Sequence, residues 1–484
     1  MRAELRGIRV TAVLGALLLS GCWSLAPRDH RPALPVADGW PIAATTAPAA
    51  APPDAGTAVS AAAADIGWRD FFVDDKLRQI IALALQNNRD LRVAVASIDR
   101  ARAQYHIQRA DRVPSLVATG SGGRQKSFFE VPGVITEYPT TSSYTVGVGV
   151  SAFELDLFGR VHDLTRSALE QYLAQEETRR SAQLSLIAEV ASTYLTLAAD
   201  RQLQQLAEDT RKNQEDAYKL AQQRYQQGAI SGLDLAQSQT TVEAARADAA
   251  RYEGNTARDI DALTVLVGTP LDAALLPSTA ADVTGVGALP AGLPSQVLLR
   301  RPDVLSAEHL LRASNANIGA ARAAFFPHIS LTGNIGTASG ELSGLFKSGT
   351  SVWAFTPQVT LPIFEGGRLI AGVGVARANR DIAVAQYEKT IQTGFQEVAD
   401  GLALTQTLSR QREAQQALAN ASARAYGLSQ ERYKAGRDSY LNVLDAQRSD
   451  YTAQQGLISV KLAEQTNRIT LYKALGGGWV ERTP

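Results

Sequence analysis

Apolar and polar positions alternate along four short stretches of this chain. Tyr144, Val146, Val148, Val150 and Ala152 alternate with Thr145, Gly147, Gly149 and Ser151. Trp353, Phe355, Pro357, Val359, Leu361 and Ile363 alternate with Ala354, Thr356, Gln358, Thr360 and Pro362. Ile329, Leu331, Gly333 and Ile335 alternate with Ser330, Thr332 and Asn334, and a fourth, glycine-rich stretch runs from Leu116 to Gly123. A period of two over about ten residues suits a transmembrane β-strand, apolar toward lipid and small or polar toward a lumen. It suits a half-buried soluble sheet equally well, and periodicity alone does not separate them.

Between these stretches the pattern is helical and unusually long. From about Val161 to Gln227 there is neither Pro nor Gly, and from about Asp381 to Ala435 there is no Pro. At 1.5 Å per residue such helices extend roughly 80–100 Å. Leu184, Ala188, Ala191, Leu195 and Ala198 form one apolar stripe, and Leu186, Val190, Thr193 and Leu197 a second. Two stripes mean neighbours on both sides, as in a wall of helices or an antiparallel coiled coil. Each long helix ends at a turn. Gly228 suits a left-handed C-cap, and Ser231 with Asp234 reads as a capping box for the returning helix. In the second hairpin Gly436 ends one helix and Asp438 or Ser439 starts the next.

The chain is written twice. Asn88-Arg89-Asp90-Leu91 pairs with Arg301-Pro302-Asp303-Val304, and Arg109–Pro114 with Arg322–Pro327, at a constant offset. At a slightly shorter offset Arg224-Tyr225-Gln226-Gln227-Gly228 meets Arg432-Tyr433-Lys434-Ala435-Gly436. Leu233, Gln239, Leu263 and Gly268 likewise meet Leu441, Gln447, Leu471 and Gly476. Each half runs helix, Pro, two strands, then a long αα-hairpin. The first repeat covers 65–268, with strands near 113–123 and 144–153. An inter-repeat segment covers 269–300. The second repeat covers 301–484, with strands near 328–337 and 352–364.

The N-terminus reads as an address. Arg2, Arg6 and Arg9 precede a short apolar run, Val10 to Leu19, which meets Leu19-Ser20-Gly21-Cys22. The run is too short for a bilayer core, which needs about 20 residues, and has the form of a secretory signal. LSGC resembles the bacterial lipobox, which implies a signal peptide over 1–21 and diacylation plus N-acylation of Cys22. Position 23 is Trp, so the Asp retention signal of inner-membrane lipoproteins is absent. Multiple acyl chains give a stable anchor where one is marginal. Residues 22–64 are rich in Pro and Ala and read as an extended tether, with order beginning near Ile66-Gly67-Trp68.

Composition narrows the function. The 484 residues carry 48 Lys plus Arg against 48 Asp plus Glu, without the basic excess of a nucleic-acid binder. Aromatics are only 6% and Cys22 is the sole Cys, which excludes an intrachain disulfide and a Cys-cluster metal site. The five His are scattered, with no helical i, i+4 pair. There is no GxSxG, P-loop or His-centred triad, so no enzyme activity, cofactor or metal is expected, and energy must come from a partner. Four strands cannot close a membrane barrel, whose smallest form has eight, and an open edge is not tolerated in lipid. Either several chains share a barrel or the strands lie outside the membrane.

At this point a family resemblance becomes specific. Gly292–Val304 (GLPSQVLLRRPDV) with Ala307-Glu308 resembles the TolC-type outer-membrane factor family, in its lipoprotein, NodT/OprM-like branch. So do Phe326-Pro327, Leu361-Pro362-Ile363-Phe364, Gly367-Arg368, Asp156–Arg160 (DLFGR) and Tyr440–Arg448 (YLNVLDAQR). The resemblance implies an α+β membrane protein. Three chains, with four strands each, would form a 12-stranded transmembrane barrel continuous with a long periplasmic helical barrel. It implies passive export of small solutes for an inner-membrane RND-type pump, reached through a periplasmic adaptor (membrane fusion) protein. The implied location is the bacterial outer membrane, lipid-anchored and extending into the periplasm. Two alternatives stand beside it: a type I protein-secretion outlet, and a lipid-anchored periplasmic coiled coil without a pore.

The resemblance also implies a gate at the hairpin turns. The aspartate matched by Asp445 and the leucine matched by Leu441 face the channel axis in that family, so three copies of Asp445 would form a ring. Carboxylates about 7 Å apart repel by roughly 0.6 kcal/mol per pair in water and about 2.4 kcal/mol at an effective dielectric of 20, which favours bound cations. Asn442 falls where some members carry a second ring aspartate. Asp234 matches a position that pairs with a basic residue of the other hairpin in some members. Here the matching residue is the acid Asp438, so that link cannot form as such, and Arg437 is the substitute beside it. Asp234 reads equally as a cap. Tyr433 matches a gate-network tyrosine or packs the hairpin.

Overall fold

The computed structural model describes residues 24–41, 66–126, 140–278 and 295–483. The signal segment, Cys22, Trp23, most of the tether and positions 279–294 lie outside the described residues. Apart from short 3₁₀ turns, the elements are α1 (Trp68–Phe71), α2 (Asp75–Asn87), α3 (Arg89–Ala110), β1 (Leu116–Lys126), β2 (Thr140–Leu155), α4 (Arg160–Gln226) and α5 (Gly232–Val267). The second half gives α6 (Pro302–Ala323), β3 (His328–Ser339), β4 (Ser351–Thr360), α7 (Arg368–Lys434) and α8 (Tyr440–Ala474). The duplication is literal: α3 and α6 each have 22 residues, and α4 and α7 each have 67. Helix α7 begins well before Asp381, where the sequence reading placed it. Gly372 and Gly374 in its first turns weaken the local helical signal by about 1 kcal/mol each without breaking the helix.

The strands form one antiparallel sheet in the order β1-β2-β3-β4. Its register aligns Ala118, Val148, Ile335 and Trp353 in a row across all four strands, and Leu116, Val150, Gly333 and Phe355 in the next row of the same face. Ile335, Trp353, Phe355 and Val359 on this face are exposed. The opposite face carries Thr119, Ser121, Thr145, Thr332, Asn334, Thr356 and Gln358, with Ser121 Oγ 2.7 Å from Thr145 Oγ1. An exposed apolar face backed by a polar one is the arrangement lipid and lumen require. Ala152 corrects the simple alternation. It sits in a β-bulge between Val150 and Phe153, at φ 51°, and its N–H donates to Thr332 Oγ1 at 3.1 Å. The extra residue resets the phase, so Phe153 and Leu155 join the apolar face through Leu331 and Ile329 while Glu154 pairs with Ser330 on the polar face. Leu361 and Ile363, expected in a strand, lie beyond β4, where Pro362 has no N–H to donate.

The chain forms two compact units, each drawn from both repeats. The first comprises Met1–Pro32, Ser97–Gln175 and Ser306–Tyr387 and contains the sheet. Within it the start of the tether is extended, as its composition suggests, but it is docked rather than free. Ser24 Oγ donates to the buried Asp163 at 2.6 Å, Asp29 accepts from Asn315 at 3.0 Å and from Arg166, and Arg322 donates to the Leu25 carbonyl at 2.9 Å. Arg31 meets Glu308 at 2.5 Å. The linker-like average composition conceals the charged run Arg28–Arg31. Gly319 leaves the space: a Cβ there would overlap the Asp163 carboxylate and the Ala26 amide.

The second unit comprises Ala33–Ala96, Glu176–Leu305 and Glu388–Pro484. Trp40 of the tether is buried here and stacks on Phe395 at 4.7 Å. Its main core gathers α1, α2 and the two apolar stripes of α4, with Leu77, Ile80, Ile81, Ile187, Leu197 and Leu263 fully enclosed. Each such side chain contributes about 1.5–3 kcal/mol. Asp74 caps α2 by accepting from the Lys76 and Leu77 amides. Two equivalent joints tie each repeat together. In the first, Asn88 Nδ2 donates to the Leu266 carbonyl near the end of α5 at 2.8 Å, while its Oδ1 accepts from Leu91 N at 2.9 Å. In the second, the buried Arg301 guanidinium donates to the Ala474 carbonyl at the end of α8 at 2.7 Å. It also meets Asp303 at 2.8 Å and Glu397 at 2.9 Å. This is the work of the RRPD motif: one fork joins the start of α6, the end of α8 and the side of α7.

Candidate channel gate

The two hairpin turns are built alike. In the first, Gly228 at φ 71° lets its own N–H reach the Tyr225 carbonyl at 2.9 Å and Ala229 N–H reach the Arg224 carbonyl at 2.8 Å. In the second, Gly436 at φ 68° repeats the pattern to Tyr433 and Arg432, both at 2.9 Å. These are Schellman closures, and glycine takes the left-handed position at little cost. The returns differ. Ser231 and Asp234 form a full capping box at the start of α5. Ser439 makes no side-chain cap; instead Asp438 accepts from Ser439 N at 3.1 Å, from Asn442 Nδ2, and from Arg432 Nε at 3.1 Å. The Arg432 hydrogen bond, then that of Asn442, holds the Asp438 carboxyl below its ordinary range.

Asp234, Tyr433 and Asp438 converge on a cleft of about 690 Å³ between the hairpins, with Arg224, Tyr426 and Tyr440. The expected link between Asp234 and Arg437 is not made. The Asp234 carboxylate is taken up by Ser231, and Arg437 is exposed and forms no ion pair among the described residues. The link across the hairpins is instead Arg224 Nη1 donating to Tyr433 Oη at 2.8 Å, with the guanidinium 5.7 Å from the ring centre. Sequence reasoning missed Arg224, although the repeated Arg-Tyr pair was its signal. Two more cross-hairpin bonds follow along α5 and α8: Tyr451 Oη to Asp248 at 3.1 Å, and Gln455 to Tyr252 Oη at 3.2 Å. Each hairpin is also braced within itself, by Arg246–Glu215 and Thr241–Gln214 in the first and Arg412–Glu464 in the second.

Leu441 and Asp445 do not line the cleft. They lie one turn apart on one exposed face of α8, with Arg448 a further turn on and 3.8 Å from the Asp445 carboxylate. That spacing leaves the carboxylate largely in solvent, 63% exposed.

Further along the first hairpin, α4 and α5 hold a pair of acids. Burial, then the neighbouring Asp200 carboxylate, pushes Asp259 up to about 6, and burial also raises Asp200. A raised folded value means that the native state binds more protons than the unfolded chain between about pH 4 and 6, so stability falls as pH rises through that window. Asp259→Asn keeps the shape and removes the repulsion. The variant should be more stable than the parent at pH 7 and should show a shallower slope between pH 4 and 6, the remainder coming from the buried Asp200, read by denaturant unfolding across that range.

The chain matches the family described as Outer membrane efflux protein over residues 80–269 and 293–477. It is 48% identical over 486 residues to the probable efflux pump outer membrane protein TtgC of Pseudomonas putida, covering 100% of this chain and 97% of that protein. It is 44% identical over 473 residues to the outer membrane protein OprJ of Pseudomonas aeruginosa, covering 98% and 96%. Its fold matches the open-state crystal structure of the Neisseria gonorrhoeae MtrE outer membrane channel with a TM-score of 0.84 and 38% identity, covering 96% of this chain and 100% of that one. The chain belongs to the outer membrane efflux protein family. It is the outer-membrane channel component of an efflux system, with the family's long helices and one four-stranded sheet per chain.

Proposed function

We propose that three copies of this chain form one pore, through which an inner-membrane RND-type pump and a periplasmic adaptor pass small toxic solutes without catalysis by the channel itself. The observation that carries the reading is the sheet, with one exposed apolar face and two unpaired edges, β1 and β4. The β4 edge of one chain is free to pair with the β1 edge of the next, and three sheets supply twelve strands. Exposed apolar residues stand at the ends of both edge strands: Val113 before β1 and Leu116 at its start, and Leu361, Ile363 and Phe364 beyond β4. In this reading the hairpins line the periplasmic conduit, the face carrying Leu441 and Asp445 turns toward the axis, and opening splays the hairpin turns outward from that axis. Mass measurement of the detergent-solubilised protein should give a homotrimer. A monomer that retains its β-signal would sink the proposal.

Cys22 supplies the anchor, triacylated and seated in outer-membrane lipid just ahead of the docked Ser24. Cys22→Ser should lose its lipid mass and accumulate poorly in outer membranes. Normal labelling of the variant with radioactive palmitate would contradict the lipobox reading.

A further inference from the structure

We infer that a second Arg–Tyr link, from Arg432 of one protomer to Tyr225 of the next, closes the seam between chains at the hairpin turns. The inference rests on the trimeric reading above and adds the contact. Its basis is the duplication. The link seen within the chain joins Arg224 of the first repeat to Tyr433 of the second. Advancing each partner by one repeat turns Arg224 into Arg432 and Tyr433 into Tyr225 of the following first repeat.

The local geometry needed for this is already present. Arg224 and Arg432 hold the same place in the two Schellman closures, their carbonyls accepting from Ala229 and Arg437. Tyr225 and Tyr433 also match. Tyr433 leans on Tyr440, the first residue of α8, at 5.3 Å between rings, and Tyr225 lies 3.8 Å from the Cβ position of Gly232, the first residue of α5. Yet Tyr225 is 48% exposed, whereas Tyr433 is engaged. Arg432 is poised as well. Its Nε is taken by Asp438, whose counterpart in the first repeat is Ile230. A guanidinium offers five donors, so its terminal amino groups, the kind of atom Arg224 uses, remain for a tyrosine hydroxyl.

The same bookkeeping says what the seam lacks. Where Asp248 meets Tyr451 within the chain, the repeated positions hold Gly456 and Glu243, which cannot form that bond. Where Tyr252 meets Gln455, they hold Val460 and Ala247. Of the three polar links named among the described residues within a protomer, only the Arg–Tyr link has repeat counterparts able to form it between protomers. The chain-to-chain seams are therefore where the hairpins part first.

Paired cysteines test this. A disulfide is too short for positions whose side chains are Arg and Tyr, since it needs Cα atoms within about 7 Å, so a short bismaleimide is used on the full chain. Arg224→Cys with Tyr433→Cys should link within a chain and leave monomers on denaturing gels. Tyr225→Cys with Arg432→Cys should give covalent dimers and trimers, and the parent neither. Tyr225→Phe, which keeps the ring, should dissociate several-fold faster in denaturing detergent than the parent. If the sample is a trimer and the control pair links, absence of chain-to-chain products at 225 and 432 overturns the link. A monomeric sample overturns the assembly itself, and this contact with it.

Discussion

Arg301→Ala should lose about 3 kcal/mol or more of stability. The guanidinium is buried and serves the Ala474 carbonyl, Asp303 and Glu397 together. Removing it strands a helix-terminal carbonyl and two carboxylates at once, and breaking a buried pair from one side typically costs about 3–5 kcal/mol. Asp303 and Glu397 are partly exposed, which places the expectation at the lower end. Arg301→Lys should recover only part of the loss, because a single ammonium cannot span the same fork. Gly394 explains why the guanidinium fits: a Cβ there would come 3.2 Å from it. Thermal unfolding followed by far-UV circular dichroism ranks the variants. An Arg301→Ala protein melting with the parent would show that the motif is kept for another reason.

The largest functional effect should come from Asp445→Ala. If three exposed Asp445 side chains ring the axis, the variant loses three like charges and three cation ligands at the narrowest point. Conductance in planar bilayers should rise at neutral pH, or block by divalent cations should weaken. Asp234→Ala is the internal control. It breaks the capping box and costs about 1 kcal/mol of helix stability without touching a ring. Single-channel currents for both, with and without divalent cation, separate the two roles. Unchanged current and block in Asp445→Ala would place the constriction elsewhere on the hairpins.

Much of the architecture was legible in the chain. Strands showed because their two faces meet different media, so period-two alternation was strong for β2, β3 and β4. The hairpin turns showed because Gly228, Ser231, Asp234 and Gly436 are local signals with local geometry. What failed to show depends on contacts far apart in sequence. The bulge at Ala152 is set by pairing with Thr332, and no composition rule marks an alanine for positive φ. The docked tether depends on Asp163, Asn315 and Glu308, which lie more than a hundred residues away. In the cleft between the hairpins Asp234, Tyr433 and Asp438 stand together, but Asp234 serves Ser231 rather than a basic residue of the other hairpin. The cross-hairpin donor, Arg224, is marked in sequence only by the repeated Arg-Tyr pair, which does not say which tyrosine lies across the hairpins from it.

The two joints that fasten the repeats do the same task with different chemistry. Asn88 works through neutral amide bonds alone, while Arg301 leans on two carboxylates. Salt screens ion pairs that reach the surface, as Asp303 and Glu397 do, and hardly touches an amide bond, so ionic strength weakens one joint and spares the other. Duplication has in this way given one fold two fastenings at the same place that answer differently to the surrounding medium.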